Sequence, residues 1–126
     1  MLRYLPLILT GLAAGAQAQT TPVISLAMHY THARDRMFEA GYQPFRVIPP
    51  DSDLFKKNFA GREDIARTFP EAAKCQPKGK SPCYLLFARA PNEIVAITTV
   101  GAHAETLIVR KVHVATPAEA ERLYGK

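Results

Sequence analysis

Between Cys83 and Val114 the chain carries three runs of apolar and β-branched residues, separated by short turn-forming stretches. This pattern constrains the fold more than any other part of the sequence. Cys83–Arg89 is almost continuously apolar, which predicts a strand at the centre of a small sheet. Ala90-Pro91-Asn92-Glu93 has proline at the second position of a turn. Ile94–Val100 is rich in β-branched residues and pairs back as a hairpin. Gly101–Glu105 makes a longer loop into a third strand over Thr106–Val114. There Lys111 and His113 alternate with Val112 and Val114, so one face is exposed at that strand's end. Thr116-Pro117-Ala118-Glu119 combines a capping box with proline at the first helical position and predicts a short C-terminal helix.

The first half reads as helical. From Tyr30 a helix is predicted, with Thr31 as its cap and Ala33, Met37 and Ala40 at helical spacing. Gly41 sits where a left-handed cap is wanted. Val23–Met28 fits either a first strand or an extra helical turn starting at Pro22. Tyr42–Ile48 is extended, with Pro44 confining it to an edge. Asp51-Ser52-Asp53 offers N-caps for a short helix over Leu54–Phe59. Gly61 ends that piece, and Arg62–Phe69 forms another turn or two, stopped by Pro70. The predicted class is α+β: an N-terminal helix and short helical turns, then a three- to four-stranded antiparallel β-meander with a helix on one face and a short C-terminal helix.

A length of 126 residues, 48% of them apolar, allows one domain and is too apolar for a disordered chain. Met1–Ala18 reads as a secretory signal peptide. Arg3 supplies the positive region, Leu5–Ala14 a short apolar stretch, and Ala16-Gln17-Ala18 the small-x-small cleavage pattern. The stretch falls short of the roughly 20 residues needed to span a bilayer. Cleavage after Ala18 leaves residues 19–126 as a single small domain, periplasmic or secreted, with no transmembrane span in its mature form. The chain is basic, with 16 Lys+Arg against 11 Asp+Glu, and the cut removes only Arg3 from that balance. An exported chain without an aromatic-interleaved basic motif argues against nucleic acid. Its charge suits a solvated cationic surface, or attraction to an envelope protein or an anionic envelope component.

Cys75 and Cys83 flank Gln76-Pro77-Lys78-Gly79-Lys80-Ser81-Pro82, a turn-rich stretch that lets the chain double back. An even pair in an oxidising compartment predicts a disulfide. Closing a loop of about nine residues adds on the order of 2–3 kcal/mol by chain entropy. A redox pair would take the tighter Cys-x-x-Cys spacing.

Several of these segments resemble a group of small exported bacterial proteins of unassigned function. They are Met37-Phe38-Glu39-Ala40-Gly41-Tyr42-Gln43-Pro44, the step Phe69-Pro70-Glu71 before Cys75, and Cys83-Tyr84-Leu85-Leu86-Phe87. Such proteins show Gly-Tyr or Gly-Trp followed by x-Pro, a Pro-Glu turn, and two cysteines around a glycine-containing loop. The lysines at Lys78 and Lys80 depart from the small, neutral loop of that pattern. The resemblance implies export and the disulfide, and carries over no activity.

Candidate chemistry is sparse. Ser25, Ser52 and Ser81 lie in no Gly-x-Ser-x-Gly elbow or Ser-x-x-Lys motif. Glu63 and Asp64 are adjacent, so on a helix they splay about 100° apart and cannot face each other across a substrate. No glycine-rich phosphate loop is present. His29 and His32 are at helical spacing for a metal, with His103 or Glu105 as a third ligand. Lys74, Lys78 and Lys80 fall on or beside a loop that a disulfide would stiffen, with Lys56, Lys57, Arg62 and Arg67 as further charges. A pre-ordered cationic loop loses less entropy on binding than a floppy one. The sequence therefore points to a non-enzymatic binding module without cofactor, in an inhibitor, immunity-like or accessory role. The alternative is a metal-binding periplasmic protein built on His29 and His32.

Overall fold

The computed structural model describes residues 21–125; the expected signal peptide lies outside them. In chain order the elements are helix α1 (Tyr30–Glu39), strand β1 (Gln43–Pro44), helices α2 (Asp53–Asn58) and α3 (Glu63–Thr68), strands β2 (Ala72–Cys75), β3 (Cys83–Ala90) and β4 (Glu93–Val100), a 3-10 turn (Ala104–Thr106), strand β5 (Ile108–Ala115) and helix α4 (Pro117–Leu123). The α+β class is as expected. The strands form one antiparallel sheet with β3, β4 and β5 as the meander.

Strand β3 is the centre because its residues bury on both faces. Leu85, Leu86 and Phe87 are all inaccessible to solvent. On its far side, β1 pairs with Ala88 and Phe87 while β2 pairs with the Cys83–Leu85 end, so two short strands share one edge. Pro44 sits there, where its missing N–H interrupts no ladder. Strand β2 is a further strand, beyond the three runs of the meander. Ala72-Ala73-Lys74 has no β-branched residue to announce a strand. It becomes one because the turn after Cys75 lays it back against β3, with Ala72 and Ala73 buried.

Alternation along β3 separates the two faces. Phe87 meets Phe38 of α1 edge-to-face, with ring centroids 5.7 Å apart, whereas Tyr84 lies in a hollow with Leu123 of α4. Helices α1 and α4 therefore cover opposite faces. The apolar stripe Tyr30, Ala33 and Met37 of α1 is fully buried. The helix ends as predicted, with Gly41 at φ +92°, a conformation that only glycine adopts without strain. Its start differs: Thr31 is inside the first turn, and His29 stands at the cap position without a side-chain cap. The Tyr30 N–H donates to the Leu107 carbonyl just before β5 at 3.0 Å, so tertiary pairing satisfies one of the free donors of the helix's first turn. Val23–Met28 is neither strand nor helical turn. It is a loop that touches β5 through Ala27 N–H to the Val109 carbonyl and Val109 N–H to the Met28 carbonyl, at 2.7 and 2.8 Å.

Helices α2 and α4 are capped as expected, by Ser52 and by the Thr116/Glu119 capping box. The Asn58 side chain of α2 is buried and donates to the Ala73 carbonyl at 2.8 Å, holding the helix to β2. No helix among the described residues is long and apolar enough to cross a membrane.

Candidate functional site

The turn from β2 to β3 is closed at its neck. Cys75 and Cys83 face each other across the two strands and are bonded, with sulfurs 2.07 Å apart. The Gln76 N–H donates to the Pro82 carbonyl and the Ser81 N–H to the Lys78 carbonyl, each at 2.8 Å. Gly79 takes φ +48° at the tip. Every residue from Pro77 to Lys80 is exposed.

Beneath this loop lies a residue whose role is absent from the sequence pattern. Arg62, just before α3, is 2% exposed. Its Nη1 donates to the carbonyls of Gln76 at 2.8 Å and Ser81 at 3.2 Å, and its Nη2 to the carbonyl of Gly101 at 2.7 Å. One guanidinium thus ties both ends of the disulfide loop to the β4–β5 connection, using the fork geometry that lysine lacks. Burial lowers its pKa, opposed in part by the charge of Asp64. Gly101 is needed where it stands: a Cβ there would lie 2.7 Å from the Thr106 carbonyl oxygen at φ +146°.

The cations grouped by sequence are distributed very differently in space. Lys78 and Lys80 project from the loop, while Lys74 is half-buried in β2, opposite Tyr84. Arg62 is interior and contributes no surface contact. Arg67 pairs with Asp51 at 2.8 Å and lies over the Phe55 ring. Lys56 and Lys57 are exposed on α2. The usable loop surface is therefore Lys78 and Lys80, with Lys80 at the rim of a shallow, mainly apolar hollow formed with Val100, Gly101, Ala102, His103 and Ile108. No protein-family model, curated protein or solved structure matches the chain. Function is therefore read from these surfaces alone.

The histidines give a pair but not a set. The His29 and His32 rings are 6.1 Å apart at the start of α1. His103 lies beside α3, with its Nδ1 4.0 Å from Asp64. Among the described residues no three His, Cys, Asp or Glu side chains converge as metal ligands.

A second polar cluster escaped the sequence reading. Glu71 is fully buried and accepts from the Tyr30 hydroxyl and from Arg34 Nε, both at 2.6 Å, with Arg34 Nη2 at 3.3 Å. Burial, with the adjacent Glu71 charge, raises the Tyr30 pKa well above its usual range. Arg34 also lies over the rings of Phe38 and Phe69. The carboxylate is satisfied on all sides by its own fold, and it fastens α1 to the start of β2.

Proposed function

We propose that this chain is an exported, non-enzymatic binding module of the bacterial envelope, whose disulfide-stiffened loop presents Lys78 and Lys80 to an anionic partner. The observation that carries this reading is the contrast between the loop's two sides. Its underside is held by a disulfide and two hydrogen bonds from Arg62, which a third anchors to Gly101, while its upper side carries two exposed lysines with no acidic neighbour in the loop. A rigid cationic loop gives up little conformational freedom on binding. Its attraction to an anionic surface weakens as salt rises.

The test is affinity capture and crosslinking of the mature protein from its own envelope extract, beside the K78E/K80E variant. The expected result is a stoichiometric partner, protein or anionic glycolipid, that is lost with the charge reversal and in high salt. A variant that folds normally and captures the same material with the same salt dependence refutes the role of the loop.

A further inference from the structure

Strand β5 is an edge of the sheet, paired with β4 on one side only. On its outer side Val109 exchanges hydrogen bonds with Ala27 and Met28, and His29 bridges Ile108. The N-terminal segment then leaves the edge: Ala27 takes φ +70°, and the Val23 carbonyl is held by Arg36 of α1 at 2.8 Å. Past Val109, no backbone hydrogen bond reaches the outer side of β5 among the described residues. Among the described residues Arg110–Ala115 is thus an open edge about 20 Å long, at some 3.3 Å per residue.

The two faces beside this edge differ in chemistry. On the α1 side, Val112 and Val114, with His113 between them, border a hollow of about 370 Å³ shared with Met37, Tyr42 and Val95 and with Thr21, Pro22 and Ile24 of the N-terminal segment; Val114 is 76% exposed. On the α4 side, Lys111 and His113 border a second hollow of about 360 Å³ with Tyr84, Thr98 and Arg122. The Nδ1 atom of His113 is shut off from solvent and makes no hydrogen bond. Glu119 is the single carboxylate in this second hollow, and it accepts from the Thr116 N–H at 2.8 Å in the capping box.

We infer that the Arg110–Ala115 edge accepts an extended segment of a partner protein as an added β-strand, and that the segment alternates apolar with acidic residues. A strand laid on an edge gains affinity from main-chain hydrogen bonds and specificity from pockets that take alternate side chains. Side chains of such a segment point alternately to the two faces, so one set meets Val112 and Val114 and the other meets Lys111, His113 and Arg122. Charge also decides against a second copy of this chain. Basic residues on an exposed edge are a recognised device against edge-to-edge pairing, and two β5 strands would set Arg110, Lys111 and His113 against the same cations. An acidic strand reverses that sign. This surface is separate from the Lys78/Lys80 loop, and the inference does not depend on it.

The probe is a synthetic peptide of about eight residues alternating Glu and Val, titrated into the isotopically labelled mature protein and followed by amide chemical shifts and exchange. The expected result is salt-sensitive binding, with shifts and new exchange protection concentrated in Arg110–Ala115. Affinity should fall about tenfold or more, equivalent to about 1.4 kcal/mol, in each of three comparisons. These are Lys in place of Glu in the peptide, N-methylation of alternate peptide amides, and K111E/R122E in the protein. The methylated peptide keeps the charge and removes the strand pairing, so it tests the edge without a protein variant. K56E/K57E, which makes a charge change of the same size on exposed residues of α2, should bind the peptide unchanged, and a loss there as large as in K111E/R122E would overturn the inference. No binding, equal binding of the methylated or lysine peptide, shifts located elsewhere, or a dimer formed through β5 would each overturn the inference.

Discussion

Replacing Arg62 with alanine tests the clamp beneath the loop. The side chain makes three hydrogen bonds to carbonyls, and bonds from a charged donor contribute about 1.5–3 kcal/mol each. Against that gross gain stands the several kcal/mol lost when a charged group leaves water. The charge of Asp64 offsets that loss only in part. Truncation also leaves the Gln76 and Ser81 carbonyls at half-buried residues, where water can take over part of the bonding. The balance is a loss of about 2–4 kcal/mol, read from urea unfolding, or a fall in Tm of roughly 8–32 °C at about 4–8 °C per kcal/mol for a small domain. Because Arg62 and the disulfide restrain the same loop, their effects should be coupled. C75S/C83S alone should cost about 2.5 kcal/mol by chain entropy for a separation of 8 residues. The cycle of R62A with C75S/C83S should deviate from additivity by about 0.5 kcal/mol or more. A loss in R62A within about 0.5 kcal/mol, ordinary for a surface site, would refute the clamp. Strict additivity would refute the coupling.

Three other perturbations address the rest of the scaffold. Glu71→Ala should cost about 3 kcal/mol, the low end for breaking a buried pair, because Arg34 keeps 27% side-chain exposure and can rehydrate; chemical denaturation measures it, and a loss below about 1 kcal/mol would contradict the network. Tyr30 and Tyr124 both have pKa values raised in the folded state, chiefly by burial. The stability gained by keeping these phenols neutral is complete below pH 10, the unfolded value, and declines as pH rises past it; an ultraviolet titration should show their ionisation coinciding with unfolding, and early reversible ionisation of both would disprove this. Thr116→Ala removes the cap of α4 and should cost about 1 kcal/mol, with a smaller effect expected only if the helix frays without disturbing Ala120 and Tyr124.

The meander was legible because its signals are local. β-branched runs, Pro91-Asn92 and the Thr116/Glu119 box each act within a few residues, and β3, β4, β5 and α4 follow from them. The Cys75–Cys83 bond was legible from spacing and the expected compartment. What the sequence hid depends on partners distant along the chain. Arg62 looks like any surface cation until the loop and Gly101, 39 residues away, close around it. Glu71 reads as half of a Pro-Glu turn, and its partners come from α1, as far as 41 residues before it. The capping of α1 by the chain before β5, rather than by Thr31, has the same cause.

The two hidden residues also explain how so small a sheet keeps an exposed loop and an open edge without losing order. Glu71 fixes the start of β2 to α1, and Arg62 fixes the far end of the β2–β3 turn to the connection that leads into β5. Both ends of the short β2 strand are therefore held by buried charge rather than by β-propensity, which Ala72-Ala73-Lys74 lacks. Buried charges are poor sources of net stability compared with apolar packing, but they tolerate few alternative arrangements. In this fold they reinforce the register that the Cys75–Cys83 bond fixes: each guanidinium or carboxylate has one group of acceptors or donors it can reach, and slipping β2 by a residue would strand it. The exposed lysines and the β5 edge can then face solvent with no stabilising task of their own.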